Sequence, residues 1–227
     1  MVRDSVKRAG LEIATTPVPI HHYGYLDKER QQRKENDYYR LGIKKLEEKG
    51  NDDFIALFEL AIQAGSTGKY EEAVTLWNRA IAINNSDHVV FFNLGFVLLQ
   101  LGRFEESRLA SAQTLELHPG HADAVVQYAM CDICLGETKK ARVLLESVLH
   151  VYPKHFYARL MLAISRICAG HKEEGLAGLE DLSAEGTVLS EFINDFAMKL
   201  NWAGNSLAYN RLLEAANSSG NGDIKIV

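Results

Sequence analysis

Little in this sequence suits an exported, membrane-spanning or catalytic protein. No stretch approaches the roughly 18 consecutive apolar residues of a membrane span, so no span is expected. The start, MVRDSVKRAG, is basic but has no apolar stretch behind it, so no signal peptide is expected. Cysteine is nearly absent, with three residues at 131, 134 and 168. An odd, sparse count without an export signal points to reduced thiols and a cytoplasmic protein. Proline is scarce, at 4 residues, which suits helices because proline breaks their interiors. No charge of one sign dominates: the formal net charge is -5 over 227 residues. The strong basic stripe of a nucleic-acid binder is missing, and no nucleic acid is expected as partner. GxSxG, P-loop and HExxH motifs are missing too, and the chain has no Asp-x-Asp.

What is present is a period. Glycine stands at 68, 102, 136, 170 and 204, in steps of 34 residues. With glycine at about 7% of positions, that register has a chance probability on the order of 1 in 10,000. Seven residues before each glycine sits a small residue: Ala61, Gly95, Ala129, Ala163 and Ala197. Eight before it sits a large one: Leu60, Leu94, Tyr128, Leu162 and Phe196. Five after it come Ala73, Ser107, Ala141 and Gly175, and then Tyr209 breaks the rule. Pro119 and Pro153 both fall seventeen after their glycine, a position that suits the boundary before the next helix. A helix of about a dozen residues precedes each glycine, which ends it in a left-handed conformation. A second helix follows. In the first unit Tyr70, Ala73, Val74, Trp77, Ala80 and Ile81 form one apolar face at helical spacing. The small residues let the two axes approach closely.

A helix–turn–helix unit of 34 residues resembles the tetratricopeptide repeat. GKYEEAVTLWNRAIAINNSD and GRFEESRLASAQTLELHPGH carry the likeness best, and it covers residues 54–216. It implies an all-α fold, a right-handed α-α superhelix or alpha solenoid. The units would be 54–87, 88–121, 122–155, 156–187 and a cap at 188–216, with a disordered tail at 217–227. Gly175 and Gly178 should weaken the second helix of the fourth unit by about 1 kcal/mol each. The fifth unit departs most, with Tyr209 where a small residue belongs, as terminal repeats do when one face meets water.

By this resemblance the first helix of each unit lines a concave groove. The lining candidates are Phe58 and Ile62, then Phe92, Asn93, Phe96 and Leu99. Val126, Gln127, Met130 and Ile133 follow, and then Tyr157, Leu160, Ile164 and Ile167. They suit a protein or peptide ligand with an apolar face. Helical spacing alone leaves core and groove equally open for them. Some tetratricopeptide proteins grip a peptide's terminal carboxylate with Lys and Asn on successive first helices. Only Asn93 matches here, and Phe58, Ile62, Asp123 and Gln127 stand at the other positions, so that clamp is not expected.

The first fifty residues are out of phase with the repeats. DSVKRAG suggests a short helix, and LEIATTPVPIHHYGY an extended segment. Residues 26–53 read as a charged linker helix with Tyr39, Ile43 and Leu46 on a narrow apolar stripe. Residues 1–60, with HYGY at 22–25 and a Lys/Arg-rich helix after it, resemble the junction in bacterial family-2 glycosyltransferases that carry such repeats. The resemblance implies that residues 1–25 are the remnant of a catalytic domain, or the junction to one. It also implies a metal-binding role for His22, with Tyr23, Gly24 and Tyr25 beside it. The acidic pair that completes such a site, and the nucleotide-binding domain around it, are missing. No cofactor and no catalytic residue is therefore expected.

Cys131-x-x-Cys134 lies within a helix without a second pair, so packed thiols are expected rather than a zinc or redox site. His118, His121, His150, His155 and His171 fall near unit junctions, where solvated helix ends are the plainer reading. Asp52 and Asp53 adjoin a helix start, where acids favour the macrodipole.

Three functional readings remain. The chain is an interaction scaffold, the non-catalytic C-terminal part of a glycosyltransferase. Alternatively it is a component acting with a catalytic domain supplied upstream or by another chain, or a self-assembling homo-oligomer. In all three it should not transfer or hydrolyse sugar alone: nucleotide-sugars with manganese are expected to give no turnover, and turnover with any of them would contradict this.

Overall fold

The computed structural model describes residues 28–185 and 188–219. The short helix and extended segment expected at 1–25, His22 with its HYGY neighbours, and residues 220–227 of the expected tail lie outside the described residues. Among the described residues there are eleven helices and no strand. They are α1 (Lys28–Lys49), α2 (Phe54–Ser66), α3 (Tyr70–Ile83), α4 (His88–Gln100), α5 (Phe104–Leu117) and α6 (Ala122–Cys134). They continue as α7 (Thr138–Val151), α8 (Phe156–Ala169), α9 (Lys172–Ala184), α10 (Ser190–Trp202) and α11 (Ser206–Ser218). Consecutive helices from α1 to α9 pack as neighbours, in a right-handed superhelix.

The period fixes the helix ends. The five in-phase glycines all have φ between 69° and 99°, where an L side chain would be strained. The first helices start on a repeated cap. Asp53 and Asp87 accept from the backbone N–H of Ala56 at 2.8 Å and of Val89 at 2.9 Å. At the same repeat position His121 and His155 accept through Nδ1 from Ala124 at 3.2 Å and Ala158 at 3.3 Å. Leu189 occupies this position before α10 and makes no side-chain cap.

The small residues sit at the helix crossings, where Ala61, Ala73, Ser107, Ala129, Ala141 and Ala163 are all buried. Ser107 Oγ donates to the Gly95 carbonyl at 2.7 Å. Gly175, expected to weaken its helix, has a packing reason: a Cβ there would lie 2.4 Å from Ile167 Cγ1 and 2.7 Å from the Ala163 carbonyl oxygen. In α1 the stripe of Tyr39, Ile43 and Leu46 covers the N-terminal end of the array, and Tyr39 donates its hydroxyl to Glu72.

The last hairpin leaves the stack. The two helices of this unit touch far less than those of the others. Helix α10 crosses the concave face from the start of α8 to the end of α4. At one end Phe192 meets Phe156 and Tyr157, with ring centroids 5.6 and 5.9 Å apart. At the other, Lys199 Nζ donates to Gln100 Oε1 at 3.1 Å, and Trp202 covers Gly102. Ile193, Phe196, Ala197 and Leu200 give α10 a buried face at i, i+3, i+4 and i+7. Helix α11 packs on α8. Asn205 Nδ2 donates to the carbonyls of Ile133 at 3.1 Å and Cys134 at 3.3 Å. Arg211 Nη1 donates to Cys168 O at 2.8 Å. These are C-terminal carbonyls of α6 and α8, which have no partner within their own helices. Helix α11 runs to Ser218, so the first two residues of the expected tail are its last turn.

Gly175→Ala is expected to destabilise the protein by about 1–3 kcal/mol, because the clash outweighs the helix-propensity gain. Urea unfolding checks this, and a more stable variant would contradict it.

Candidate functional site

The first helices of units two to four present side chains at helical spacing to the concave face: Phe92, Phe96 and Leu99 from α4, Val126 and Met130 from α6, and Tyr157, Leu160 and Met161 from α8. Helix α10 closes the other side with Phe192 and Phe196. Between them lies a mainly apolar cavity of about 550 Å³. Its polar lining is Asn93, Gln100, Gln127, Asp123 and Asp195.

Most of these polar groups are tied into the protein. Asn93 Nδ2 donates to Val89 O at 2.8 Å. Gln127 Oε1 accepts from Ser111 Oγ at 2.9 Å. The Asp123 carboxylate faces His155 Nε2 at 3.2 Å. The fully buried Lys199 donates to Asp195 Oδ1 at 2.5 Å as well as to Gln100, and so bridges α10 to α4. Asp123 and Asp195 are the charged side chains lining the cavity.

Of the candidates from sequence, Phe92, Asn93, Phe96, Leu99, Val126, Gln127, Met130, Tyr157 and Leu160 come together on this cavity. Phe96 and Tyr157 are 45% and 46% exposed, the largest exposure among the candidates on the cavity. Phe58 lies elsewhere, edge-on to Trp77 at 5.2 Å. Ile62 is exposed away from the cavity. Ile133, Ile164 and Ile167 are core. Gln100, Met161 and the three α10 residues were missed in the sequence. Tyr209 was the available signal. It puts a large residue where the other units have a small one, in the unit whose two helices touch least.

The other candidates for chemistry are structural. Cys131, Cys134 and Cys168 are buried and free. Burial pushes the Cys131 and Cys168 thiols up to about 12, against nucleophilic use. No group of three or more potential ligands could hold a metal ion among the described residues. His88, His118 and His121 cluster at one junction, with ring centroids 4.8 to 5.7 Å apart.

This arrangement defines a tetratricopeptide-type superhelix whose concave face is closed into a pocket by its own last hairpin. Residues 66–102 match the family model of the TPR repeat. A tetratricopeptide repeat protein from Parabacteroides merdae has a TM-score of 0.60 at 20% identity, covering 86% of this chain and 82% of that one. MamA has a TM-score of 0.59 at 17% identity, covering 74% and 99%. YrrB, described as a TPR protein with an unusual peptide-binding site, has a TM-score of 0.54 at 16% identity, covering 81% and 94%. No curated protein matches the sequence. At these identities the likeness establishes the fold. No helix among the described residues is long and apolar enough to cross a membrane.

Burial holds the His121 imidazole below its ordinary value of 6.5; His88 and His118 add to this and Asp123 opposes it. A group with a depressed folded-state pKa contributes stability that is present above its unfolded value and lost as pH falls through the folded one. Protonation also removes the Nδ1 acceptor that caps α6. The melting temperature should therefore fall as pH drops below about 6.5. His121→Asp, which installs the cap of the first two units, should reduce that fall. An unchanged pH profile in the variant would contradict this.

Proposed function

We propose that this chain is a scaffold that binds a protein or peptide partner by seating an apolar side chain in the concave cavity. The cavity between α4, α6, α8 and α10 carries this reading. Its volume, about 550 Å³, lies within the ~300–1,000 Å³ range of ligand pockets. It suits one or two side chains rather than a long helix, because α10 already covers part of the groove. The partner's anchor would be aromatic or aliphatic, to match Phe96, Met130 and Tyr157. A neighbouring Lys or Arg would answer Asp123 and Asp195. YrrB's described peptide-binding site, on a similar fold, supports the same use of this architecture.

A second reading comes from the sequence of residues 1–60, which resembles a glycosyltransferase junction. There the array would position the acceptor or hold a partner for a catalytic domain supplied upstream or by another chain.

Selection of random displayed peptides against the protein tests the first reading. The enriched sequences should share a large apolar residue beside a basic one. Phe96→Ala with Met130→Ala should weaken their binding about tenfold or more while leaving far-UV helicity unchanged. Loss of helicity in the double variant, or binding that ignores both substitutions, would overturn the assignment.

A further inference from the structure

A second cleft lies apart from the apolar cavity, on the edge where first helices turn into second helices. It is small, about 210 Å³, and is built by the start of α7, the end of α8 and the start of α11. Four basic side chains line it, Lys139, Arg142, His171 and Arg211, with no carboxylate among the lining residues. In a chain of net charge -5, such a cleft is a local reversal of sign.

Of the four, only His171 has an acidic partner among the described residues, Glu174 at 3.9 Å. Lys139 and Arg142 have no ion-pair partner among the described residues, and Arg142 Nε is buried without an acceptor. Arg211 donates one bond, to the Cys168 carbonyl, and its guanidinium lies against Gly170. The nearby acids have partners of their own, none of them Lys139, Arg142 or Arg211. Glu137 pairs with Lys140 at 3.2 Å. Glu174 lies 3.8 Å from Arg166 and 3.9 Å from His171.

The repeat supplies an internal comparison. The first turns of α3, α5 and α9 carry Glu71 and Glu72, Glu105 and Glu106, and Glu173 and Glu174. At the same phase α7 carries Lys139 and Lys140; as in the second helices of the other three regular units, its N-cap residue makes no side-chain bond to the first-turn N–H groups. Cations at a helix N-terminus oppose the macrodipole, whereas an anion between them satisfies both the free N–H groups and the cations. Guanidinium groups suit the oxygens of a phosphate in particular.

We propose that this cleft binds a phosphate group, held by Arg142, Arg211, Lys139 and the first-turn N–H groups of α7. Its volume takes one phosphate and the first atoms of whatever carries it. The group arrives either as the free anion or as a phosphomonoester. The site stands independently of the apolar cavity.

Titration of the ¹⁵N-labelled full chain, followed by NMR, tests it with two probes, inorganic phosphate and O-phosphoserine. Sodium chloride at matched ionic strength is the control. Saturable shifts of the Gly136, Thr138 and Lys139 amides are expected with phosphate chemistry and not with chloride. Tighter binding of O-phosphoserine would assign the ligand to phosphomonoesters, and equal binding to the free anion. Lys139→Gln with Arg142→Gln should raise the dissociation constant about tenfold or more, and Phe96→Ala should leave it unchanged. Lys139→Gln alone, at an exposed position, gives a smaller increase and keeps the test valid if the double variant fails to fold. Equal shifts in chloride, or an unchanged constant in a folded variant, would overturn the proposal.

Discussion

The two helices of each regular unit meet through side chains of almost no size. Ala61 faces the crossing with Ala73, Gly95 with Ser107, Ala129 with Ala141, and Ala163 with Gly175. At Gly95 the approach is close enough for Ser107 Oγ to reach a backbone carbonyl at 2.7 Å. That separation sets how far each pair turns relative to the last, and so where the first helices point. The fifth unit pairs Ala197 with Tyr209, and a ring cannot fit where a methyl or hydroxymethyl belongs. The two helices of that unit touch least, and the apolar face of α10 lies on the concave side of the array.

The cavity depends on where this last unit places α10. Without α10 the concave face would be an open apolar groove; with it, Phe192 and Phe196 supply a wall. Lys199 fixes the placement. A buried ammonium is costly unless each of its bonds is made. Asp195 within α10 and Gln100 across the groove take two of its three N–H groups, and the Trp202 ring lies 6.0 Å from Nζ. Asn205 and Arg211 hold the rest of the hairpin by satisfying carbonyls at the ends of α6 and α8. The polar anchors of α11 thus lie on the edge of the array, whereas α10 faces inward with its apolar residues and the Lys199 bridge.

The regular part of this fold was legible because each unit repeats the same local rules. Gly102 marks a turn, Ala129 a crossing and Trp77 a core position, all from phase alone. The face of each first helix was legible only in part. Phe96 and Ile133 are both apolar residues on first helices, yet one lines the cavity and the other is core. Spacing within one helix cannot show which neighbours cover it. The path of α10 depends on contacts about a hundred residues apart, such as that of Lys199 with Gln100, and no local pattern encodes them. The alternation of caps from Asp53 and Asp87 to His121 and His155 could have been read from the period, because a repeated acceptor at a helix start has one evident role. The basic cleft combines α7, α8 and α11, and only folding brings Arg211 beside Arg142.

The most direct test of the account is whether α10 lies across the concave face in solution. Trp202 and Trp77 are the two tryptophans of the chain, so their indole signals are readily separated. With α10 placed as described, the Trp202 ring should give a strong nuclear Overhauser effect to the α-protons of Gly102, about a hundred residues away in sequence. Absence of that effect, with the Trp77 ring still showing its contacts to Phe58, would mean that the last hairpin does not close the groove and that the cavity does not exist in solution.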